Sequence, residues 1–450
     1  MITLQERVHS SPPPPGWNLN KLHRVLRVRK GFKNLGMQED NLLSLSYGRI
    51  IRKSIDAAEG LLPESFETYQ IVEPGNIVMR LTDLQNDKRS LRQGLVKERG
   101  IITSAYDALE LEKRHDPRFW AYALLALDLA KYYYSLGGGV RQSIKFSDFP
   151  NDWISTPESD TQKAIADFLD RETARIDQLI EKKQRLVEMQ EFRLQSKLQE
   201  MVLGGASVQR GLGGNWLQNL PKDWRLTPLK HLVSVVGGAT PSKEREDFWN
   251  GDIPWVSPKD MKSDVIKDVP DHVSEAALAS SAIRMIPEES VLIVVRGMIL
   301  ARTVPVCRLG ISATINQDMK ALLPMKRIIR GDYLQRMLQG FGDILMSFIE
   351  EAAHGTKKLR SDALFGLKFP IPPIEVQQQI TEKYERARVW SEKVSDVTLS
   401  SIERLREYRS ALITAAVTGQ IDVATWGQSE HADRRLDQTE EDMALREARA

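Results

Sequence analysis

The clearest pattern in the chain is a seven-residue repeat of apolar positions between residues 162 and 202. This stretch contains neither glycine nor proline, and charged or amide side chains fill most of its other positions. Leu169 and Ile176 are seven residues apart, and Ile180, Val187, Leu194 and Met201 repeat the same step. Such a repeat on good helix formers predicts a helix about 60 Å long that pairs with another helix. A long helix that packs only on its own domain is the alternative.

A second stretch near the C-terminus favours the pairing interpretation. Residues 375–417 follow the Pro372-Pro373 pair and also predict one long helix. Its apolar positions, which are spaced less regularly, are Val394, Val397, Ile402, Leu405, Tyr408 and Leu412. The second helix therefore supplies a partner for the first within the same chain.

Each long helix follows a segment in which strand and helix signals alternate. In the first segment, strand-like runs at 44–53 and 69–85 precede a buried helix predicted over 118–136. The second segment has strand-like runs over 231–236, 290–295 and 320–323. It also has one predicted helix, over 332–355. Both segments therefore predict a globular α/β domain.

The two halves of the chain repeat one another. Trp17 matches Trp224 at an offset of 207 residues, and the offset grows to 215 for later pairs. The pairs at 215 are Pro157 with Pro372, Gln162 with Gln377, Ile165 with Ile380, Val202 with Val417 and Gly204 with Gly419. A drift of this size needs only a few loop insertions, so a tandem duplication is the interpretation we adopt.

The predicted fold class is α+β, with two globular α/β domains in tandem repeat and two long helices that form an antiparallel coiled-coil-like spacer. The predicted parts are a lead-in (1–16), domain 1 (17–157), spacer helix 1 (158–205), a linker (206–223), domain 2 (224–371), spacer helix 2 (372–424) and a charged tail (425–450). Two domains related by such a helix pair could read two separated DNA half-sites, as two-fold dimers do.

Composition and motifs narrow the classes of function. The 450 residues carry a net charge of +2, so any role with nucleic acid must come from local patches. Cys307 is the single cysteine, which excludes an internal disulfide, and we expect it to be buried. No apolar signal segment or membrane-length run is present, so a cytoplasmic location without membrane contact is expected. There is no Walker phosphate loop and no paired histidines at metal spacing.

A set of basic and polar residues on both domains remains as candidate DNA-binding chemistry. Arginine, lysine, asparagine and glutamine are the side chains that pair with base edges and phosphates. In domain 1 the candidates are Ser46, Tyr47, Arg49, Arg80, Gln85, Asn86, Lys88, Arg141 and Gln142. In domain 2 they are Thr240, Ser242, Lys259, Arg296, Lys357 and Lys358. Each one alone is more often an ordinary surface residue, so the argument rests on the set.

Several stretches resemble the specificity (S) subunits of type I restriction–modification systems. The strongest likenesses are VSVVGGATPSKEREDFWNGDIPWVSPKDM (233–261), INQDMKALLP (315–324), HGTKKLRSDALFGLKFPIPPIEVQQQI (354–380) and EYRSALITAAVTGQIDV (407–423). The first domain adds LLSLSYGRIIRK (42–53), IVMRLTDLQND (77–87), GIITSAY (100–106) and TQKAIADFLDRETARIDQLIEKKQRL (161–186). The likeness covers about residues 17–424. It departs at TPESDTQ (156–162) and at residues 202–205, where each globular domain meets a helix.

The resemblance implies a non-catalytic subunit that recognises double-stranded DNA. Residues 17–157 and 224–371 would be target-recognition domains, each reading one half of a bipartite sequence. The long helices would fix the gap between the halves and dock two methyltransferase subunits. Motor–nuclease subunits would complete the complex. No cofactor is then expected on this chain, since S-adenosylmethionine, ATP and magnesium would be bound by the partners.

Two other functions stay open from the sequence. A helical scaffold with two protein-binding domains would have the same helices, but it would not prefer any DNA sequence. An enzyme with its own nuclease or methyltransferase site would modify or cut DNA alone. The missing Asn/Asp-Pro-Pro-Tyr/Phe stretch argues against an amino-group DNA methyltransferase.

Overall fold

In the computed structural model, the described residues are Thr3, Glu6, Val8, 12–54, 65–84, 91–136, 143–205, 207–208, 217–351 and 355–426, with only the backbone described at 207–208 and 217–218. The chain divides into two compact units. The first unit is Met1–Gln184 together with Leu399–Ala450, and the second is Arg185–Thr398. Each of the two long helices contributes residues to both units.

Short strands and three helices make up the chain to residue 203 within the described ranges. Strands β1–β10 are Asn18–Lys21, Leu26–Val28, Leu43–Ser46, Arg49–Arg52, Gln70–Val72, Ile77–Met79, Gln93–Leu95, Gly100–Ile102, Asp107–Leu111 and Trp153–Thr156. Helices α1–α3 are Pro117–Leu129, Tyr132–Leu136 and Ser159–Leu203. The strands at 43–52 and 70–79 confirm the strand predictions, and α3 confirms the first long helix.

The second half has more strands and ends in the second long helix. Strands β11–β24 are Ser207–Val208, Leu217–Gln218, Arg225–Pro228, Val233–Gly237, Trp249–Val256, Val265–Ile266, His272–Val273, Val291–Val294, Val306–Leu309, Thr314–Ile315, Met319–Pro324, Ile349–Glu351, Lys357–Leu359 and Lys368–Ile371. Helices α4–α9 are Glu275–Ser280, Gly331–Gly340, Gly342–Met346, Ser361–Gly366, Ile374–Val417 and Val423–Trp426. Short 3₁₀ turns are Leu22–Arg24, Phe146–Asp148, Leu229–His231, Glu246–Phe248, Pro258–Asp260 and Met298–Ala301.

The first unit has a four-stranded antiparallel sheet in the order β2-β9-β6-β7 and three strand pairs, β1-β10, β3-β4 and β5-β8. Helix α1 begins at Pro117, where the Asp116 carboxylate accepts a hydrogen bond from the backbone N–H of Arg118. Its apolar face, with Phe119 and Trp120, is buried in a core shared with α3 and with the end of α8.

The two long helices touch within the first unit. Leu179 of α3 packs against Leu405 of α8, and Asp177 forms an ion pair with Arg409. From Asp177 to Leu179 the residue numbers rise along α3, whereas those of their partners fall from Arg409 to Leu405 along α8. The helices therefore run in opposite directions where they meet in this unit.

The second unit contains a larger sheet with the strand order β14-β21-β18-β19-β16. Strands β17-β15-β20 form another sheet, and β11-β12, β13-β24 and β22-β23 are pairs. Pairing is parallel between β15 and β20 and between β16 and β19. Strand β18 is buried at all four positions and is central to a core that includes residues of α5 and of both long helices. The fold is thus α+β, as predicted.

Two helix predictions need correction. The helix predicted over 118–136 is interrupted at Lys131, whose φ of 61° is incompatible with a continuing right-handed helix. The helix predicted over 332–355 is wrong after Met346, because Ile349–Glu351 forms a strand instead. This strand pairs with β23, and Glu351 lies opposite Lys357 with an ion pair of 2.6 Å. Pairing with a later segment outweighed the local helix pattern.

Some predicted parts fall partly outside the described residues. These are most of the lead-in (1–16), the middle of the linker (206–223) and the tail beyond Trp426. Within the described part of the linker, β11 pairs with β12. None of the helices in the described ranges is both long and apolar enough to cross a membrane. The predicted part boundaries themselves stay a prediction.

Candidate functional site

A buried glutamine links each globular segment to the start of its long helix. The side-chain amides of Gln162 and Gln377 donate to the carbonyl of the proline five residues earlier, at 2.9 Å and 3.0 Å. Each amide oxygen accepts a hydrogen bond from a backbone N–H, that of Asp116 at 3.1 Å and that of Arg330 at 2.9 Å. We call Gln162 and Gln377 the glutamine anchors. Their shared geometry supports the predicted repeat.

Beside the first anchor, hydrogen bonds join α1 to α3. The Tyr122 hydroxyl donates to the Asp170 carboxylate at 2.9 Å and lies 3.2 Å from the Thr173 hydroxyl. Burial raises the pKa of Tyr122 to about 12, so it stays a hydrogen-bond donor at neutral pH. Arg118 also bridges Asp167 and Asp170, at 2.6 Å and 3.0 Å. We call Tyr122, Asp170 and Thr173 the first joint.

Beside the second anchor, ion pairs join the globular segment to α8. Arg336 is only 6% exposed and pairs with Asp264 at 2.8 Å and with Glu385. Arg388 also reaches Glu385, at 3.0 Å. The Arg336 guanidinium lies 4.7 Å from the centre of the Tyr384 ring. We call Asp264, Arg336, Glu385 and Arg388 the second joint.

The second joint borders a cleft of about 550 Å³. Four arginines and four carboxylates line it, together with Val265, Gln335 and Thr381; the charged residues are Asp264, Arg308, Asp332, Arg336, Glu382, Glu385, Arg386 and Arg388. The charges balance, and Arg308, Arg336 and Arg388 already have carboxylate partners. This chemistry fits a fixed connection between elements better than a ligand site.

Four of the domain 2 candidates lie close together, on adjoining loops and on strand β23. The Thr240 hydroxyl hydrogen-bonds the side chain of Gln317. The next residue, Asp318, accepts from the backbone N–H of Arg296 at 3.2 Å, and Arg296 forms a β-bridge with Lys358. Lys357, beside Lys358, accepts from Gly297 at 3.0 Å. We call Thr240, Arg296, Gln317, Lys357 and Lys358 the loop cluster.

The loop cluster presents exposed positive charge. Arg296, Lys358 and Gln317 are exposed. Within the described ranges, no carboxylate forms an ion pair with Arg296 or Lys358, whereas Lys357 pairs with Glu351. Two cations and an exposed amide on strand-anchored loops suit contact with phosphates and base edges.

Gln317 was not among the sequence candidates. It lies in the INQDMK stretch already noted for its family likeness, which was the available signal. The stretch is held tightly, because a Cβ on Gly238 would come within 1.9 Å of the carbonyl oxygen of Asn316. Neighbouring Asn316 is itself buried, so the turn that carries Gln317 is fixed from below.

The other two domain 2 candidates lie elsewhere in the same unit. Lys259 forms an exposed ion pair with Asp271 at 2.6 Å, which raises the pKa of Lys259. The Ser242 hydroxyl accepts a hydrogen bond from the backbone N–H of Glu244, and its carbonyl accepts one from the Trp249 indole. Both residues are exposed, and their DNA contact stays a prediction.

In the first unit, Ser46, Tyr47 and Arg49 lie together at the end of the β3–β4 hairpin. Ser46 pairs directly with Arg49 across the two strands. Tyr47, in the turn, is 73% exposed. Arg49 forms an ion pair with Asp177 at 3.1 Å. Unlike Arg296, this arginine has a carboxylate partner.

The remaining domain 1 candidates are Arg80 and five residues outside the described ranges. Arg80 is half-buried, and its backbone N–H donates to the carbonyl of Arg92 at 2.7 Å. Five candidates fall outside the described residues, namely Gln85, Asn86, Lys88, Arg141 and Gln142. All of these assignments stay predictions.

The predicted helix-pairing residues differ in burial. In the first unit, Leu169, Ile176, Ile402 and Leu412 are buried, and Ile180, Leu405 and Tyr408 pack on the core from its edge. In the second unit, Leu194 and Met201 pack on the core, Val187 and Val394 are half-buried, and Val397 is 62% exposed. Val397 therefore faces solvent, and its role in pairing stays a prediction without support.

Cys307 confirms one prediction about chemistry. Its side chain is buried, and that burial raises the pKa of the thiol to about 12. A thiol with such a pKa is a poor nucleophile at neutral pH.

Comparisons with known proteins show similarity to type I specificity subunits. Residues 221–386 match the family model described as "Type I restriction modification DNA specificity domain". The match covers less than half of the chain. The match includes the loop cluster and three residues of the second joint, Asp264, Arg336 and Glu385, and it confirms the resemblance for this part of the chain.

Two curated relatives carry the same family name. The specificity subunit of the type I restriction enzyme EcoR124I/EcoR124II from Escherichia coli is 34% identical over 188 residues, which are 41% of this chain and 46% of that protein. The MjaIX specificity subunit from Methanocaldococcus jannaschii is 26% identical over 169 residues, or 36% of this chain and 37% of that protein. The matched stretches therefore span less than half the length of these relatives.

Solved structures support the fold over most of the chain. A chain from a study of complex assembly and conformational transition in the type I R-M system aligns with a TM-score of 0.69 at 15% identity, covering 91% of this chain and 100% of that one. The HsdS subunit from Thermoanaerobacter tengcongensis aligns with a TM-score of 0.52 at 16% identity, covering 92% and 99%. At these identities the likeness concerns the fold alone.

Proposed function

We propose that the chain is the DNA-sequence-recognition subunit of a type I restriction–modification complex and performs no catalysis itself. The observation that carries this proposal is the loop cluster. Exposed Arg296 and Lys358, without carboxylate partners among the described residues, lie beside Gln317 inside residues 221–386, which match the specificity domain. A scaffold for proteins has no need for this combination of cations and an amide on fixed loops.

Each globular segment would read one half of a bipartite target. Residues 17–157 and 224–371 are the proposed recognition domains. The long helices would form an antiparallel spacer, which the opposed contacts of Asp177 with Arg409 and of Leu179 with Leu405 support in the first unit. The glutamine anchors and the joints would hold each domain at a set angle to its helix. The spacer would thereby fix the gap between half-sites.

Chemistry would reside on partner subunits in the cytoplasm. Two methyltransferase subunits would bind S-adenosylmethionine and modify adenine in each half-site. Motor–nuclease subunits would use ATP and magnesium. The relatives' family supports these partners, and the helices of this chain are the proposed docking elements.

Mapping of modified adenines tests the proposal. DNA from cells that express the methyltransferase with this chain should carry methyladenine at one bipartite sequence, and cells without this chain should not. The double variant Arg296→Gln/Lys358→Gln should lose most of the modification, because two phosphate-neutralising charges are removed. Arg284→Gln, an exposed arginine in another segment, is the matched control and should keep it. Modification at no defined sequence would contradict the proposal.

A further inference from the structure

Tyr47 occupies a backbone conformation that disfavours it. Its φ is 44°, and that of the following Gly48 is 77°. Positive φ at both central positions is the pattern of a type I′ hairpin turn, in which asparagine, aspartate or glycine normally takes the first position. A bulky aromatic residue there loses free energy to the clash of its Cβ with the backbone.

Nothing within the described residues offsets that cost. The Tyr47 side chain is 73% exposed, so it gains little from packing. Strained residues of this kind persist where function rewards them. The positive φ and the exposure of Tyr47 together indicate that its ring contacts another molecule.

The hairpin beneath Tyr47 is rigidly supported. A Cβ on Gly48 would approach the Leu91 side chain to 2.9 Å, and a Cβ on Gly94 would approach Leu45 to 2.7 Å. Both glycines therefore allow close packing of the hairpin on the unit. Leu45 is also buried on the inner face, so the tip cannot easily relax to relieve the strain.

The outer face of the hairpin has the chemistry of a nucleic-acid contact. Ser46 and Arg49 are direct cross-strand partners next to the tip. The Arg49 side chain on this face is 72% exposed despite its ion pair with Asp177, whereas Arg52, three residues further along β4 and therefore on the opposite face, is 71% exposed beside Glu98. Exposed ion pairs contribute little free energy, so Arg49 can exchange carboxylate for phosphate. The major groove of B-DNA is wide enough for a two-stranded ribbon.

We propose that the Leu43–Arg52 hairpin enters a groove of the target duplex and that the Tyr47 ring inserts at a base step, where it stacks on a base that the insertion unstacks. This deepens the proposed function and rests on it. The partner is double-stranded DNA, with Arg49 contacting its backbone. Stacking of the ring is the functional gain for which the strained turn persists.

The decisive variant is Tyr47→Asn, because its effects on stability and on binding have opposite signs. Asparagine suits the positive φ, so the Tm of the full chain should rise or stay equal. Loss of the ring should weaken binding to the target duplex about fivefold or more. Affinity is measured with the full chain in complex with the methyltransferase, on the duplex found by adenine mapping. Unchanged affinity, or a lower Tm, would overturn the proposal.

Two further variants keep the test specific. Tyr47→Phe should bind within about twofold of wild type, since the ring does the stacking; an equal loss with Phe would overturn stacking. Met37→Asn is the matched control, because Met37 is also exposed at positive φ, at 52°. It should leave affinity unchanged, and an equal loss there would count against the hairpin tip. If wild type itself shows no preference over a scrambled duplex, the proposed function fails instead.

Discussion

The two joints connect a globular segment to a long helix at corresponding places with different chemistry. In the first unit, the Tyr122 hydroxyl meets Asp170. In the second, Arg336 pairs with Glu385 and Asp264. These residues are offset by 214 for the tyrosine and arginine and by 215 for the acidic residues. The position of the connection is thus shared, and its electrostatics are not.

The glutamine anchors show the opposite behaviour. Gln162 and Gln377 make the same two hydrogen bonds in each unit. A buried amide that satisfies two backbone groups cannot be exchanged freely, because each lost bond leaves a buried polar group unpaired. The contrast teaches that backbone geometry at the helix start is kept while side chains around it vary.

The largest expected effect on stability comes from breaking the second joint. Arg336→Ala should destabilise the second unit by about 3 kcal/mol, because it removes the buried guanidinium that Asp264 and Glu385 share and leaves Arg388 to serve both carboxylates. Tyr122→Phe in the first joint should cost only about 1 kcal/mol, the value of one hydrogen bond. Urea unfolding of both variants measures the difference. Equal losses would show that the two joints are energetically alike.

Removal of the anchors should have an intermediate and matched effect. Gln162→Leu and Gln377→Leu should each cost about 1–2 kcal/mol, because each removes the hydrogen bonds to a proline carbonyl and to a backbone N–H, together with one further bond, to His115 or to the Ile328 carbonyl respectively. Urea unfolding monitors both variants. Gln378→Leu, an exposed neighbour on the same helix, is the control and should change little. Clearly unequal losses at the two anchors would break the correspondence between the units.

A smaller effect, on the salt dependence of DNA binding, should distinguish Arg296 of the loop cluster from Arg49 of the β3–β4 hairpin. Arg296 has no carboxylate partner among the described residues, whereas Arg49 pairs with Asp177. Arg296→Gln should therefore reduce the slope of log affinity against log salt by about 1. Arg49→Gln should reduce it by less, since this arginine must first leave its carboxylate. Equilibrium DNA binding between low and moderate salt gives both slopes. A larger change for Arg49 would reverse the proposed difference.

The smallest effect is a pH dependence near the second anchor. Burial acts to raise the pKa of Asp332, but its hydrogen bond and ion pair with Arg330 outweigh burial and hold the pKa below its usual value. A carboxyl with a lowered folded pKa stabilises the fold above its unfolded pKa. That stability should be lost as pH falls below about 4. Unfolding at pH 3–6 should show a weaker acid dependence for Asp332→Asn, and an unchanged profile would contradict the assignment.

The long helices were predictable because their signal is local. The prediction of 162–202 and 375–417 differs by only a few residues from Ser159–Leu203 and Ile374–Val417. Absence of glycine and proline and a sustained apolar repeat suffice for such a helix. The correspondence between the two glutamine anchors was also visible in the sequence, because Gln162 and Gln377 occupy equivalent positions in the repeat.

The joints and the loop cluster were not predictable in this way. Asp264 and Glu385 meet through Arg336 although 121 residues separate them, a relation that no local pattern encodes. Thr240 meets Gln317 through a similar long-range closure. The strand at 349–351 also depends on a later segment, which is why a helix was wrongly expected there. The strain at Tyr47 required the turn geometry itself.

Replacement of one proposed recognition domain tests the central claim most directly. Residues 224–371 would be exchanged for the corresponding segment of another family member, with both glutamine anchors kept, and modified adenines would be mapped in cells that express the methyltransferase. The account predicts that one half of the bipartite sequence changes while the other half stays the same. A change in both halves, or in neither, would contradict the assignment of one half-site to each domain.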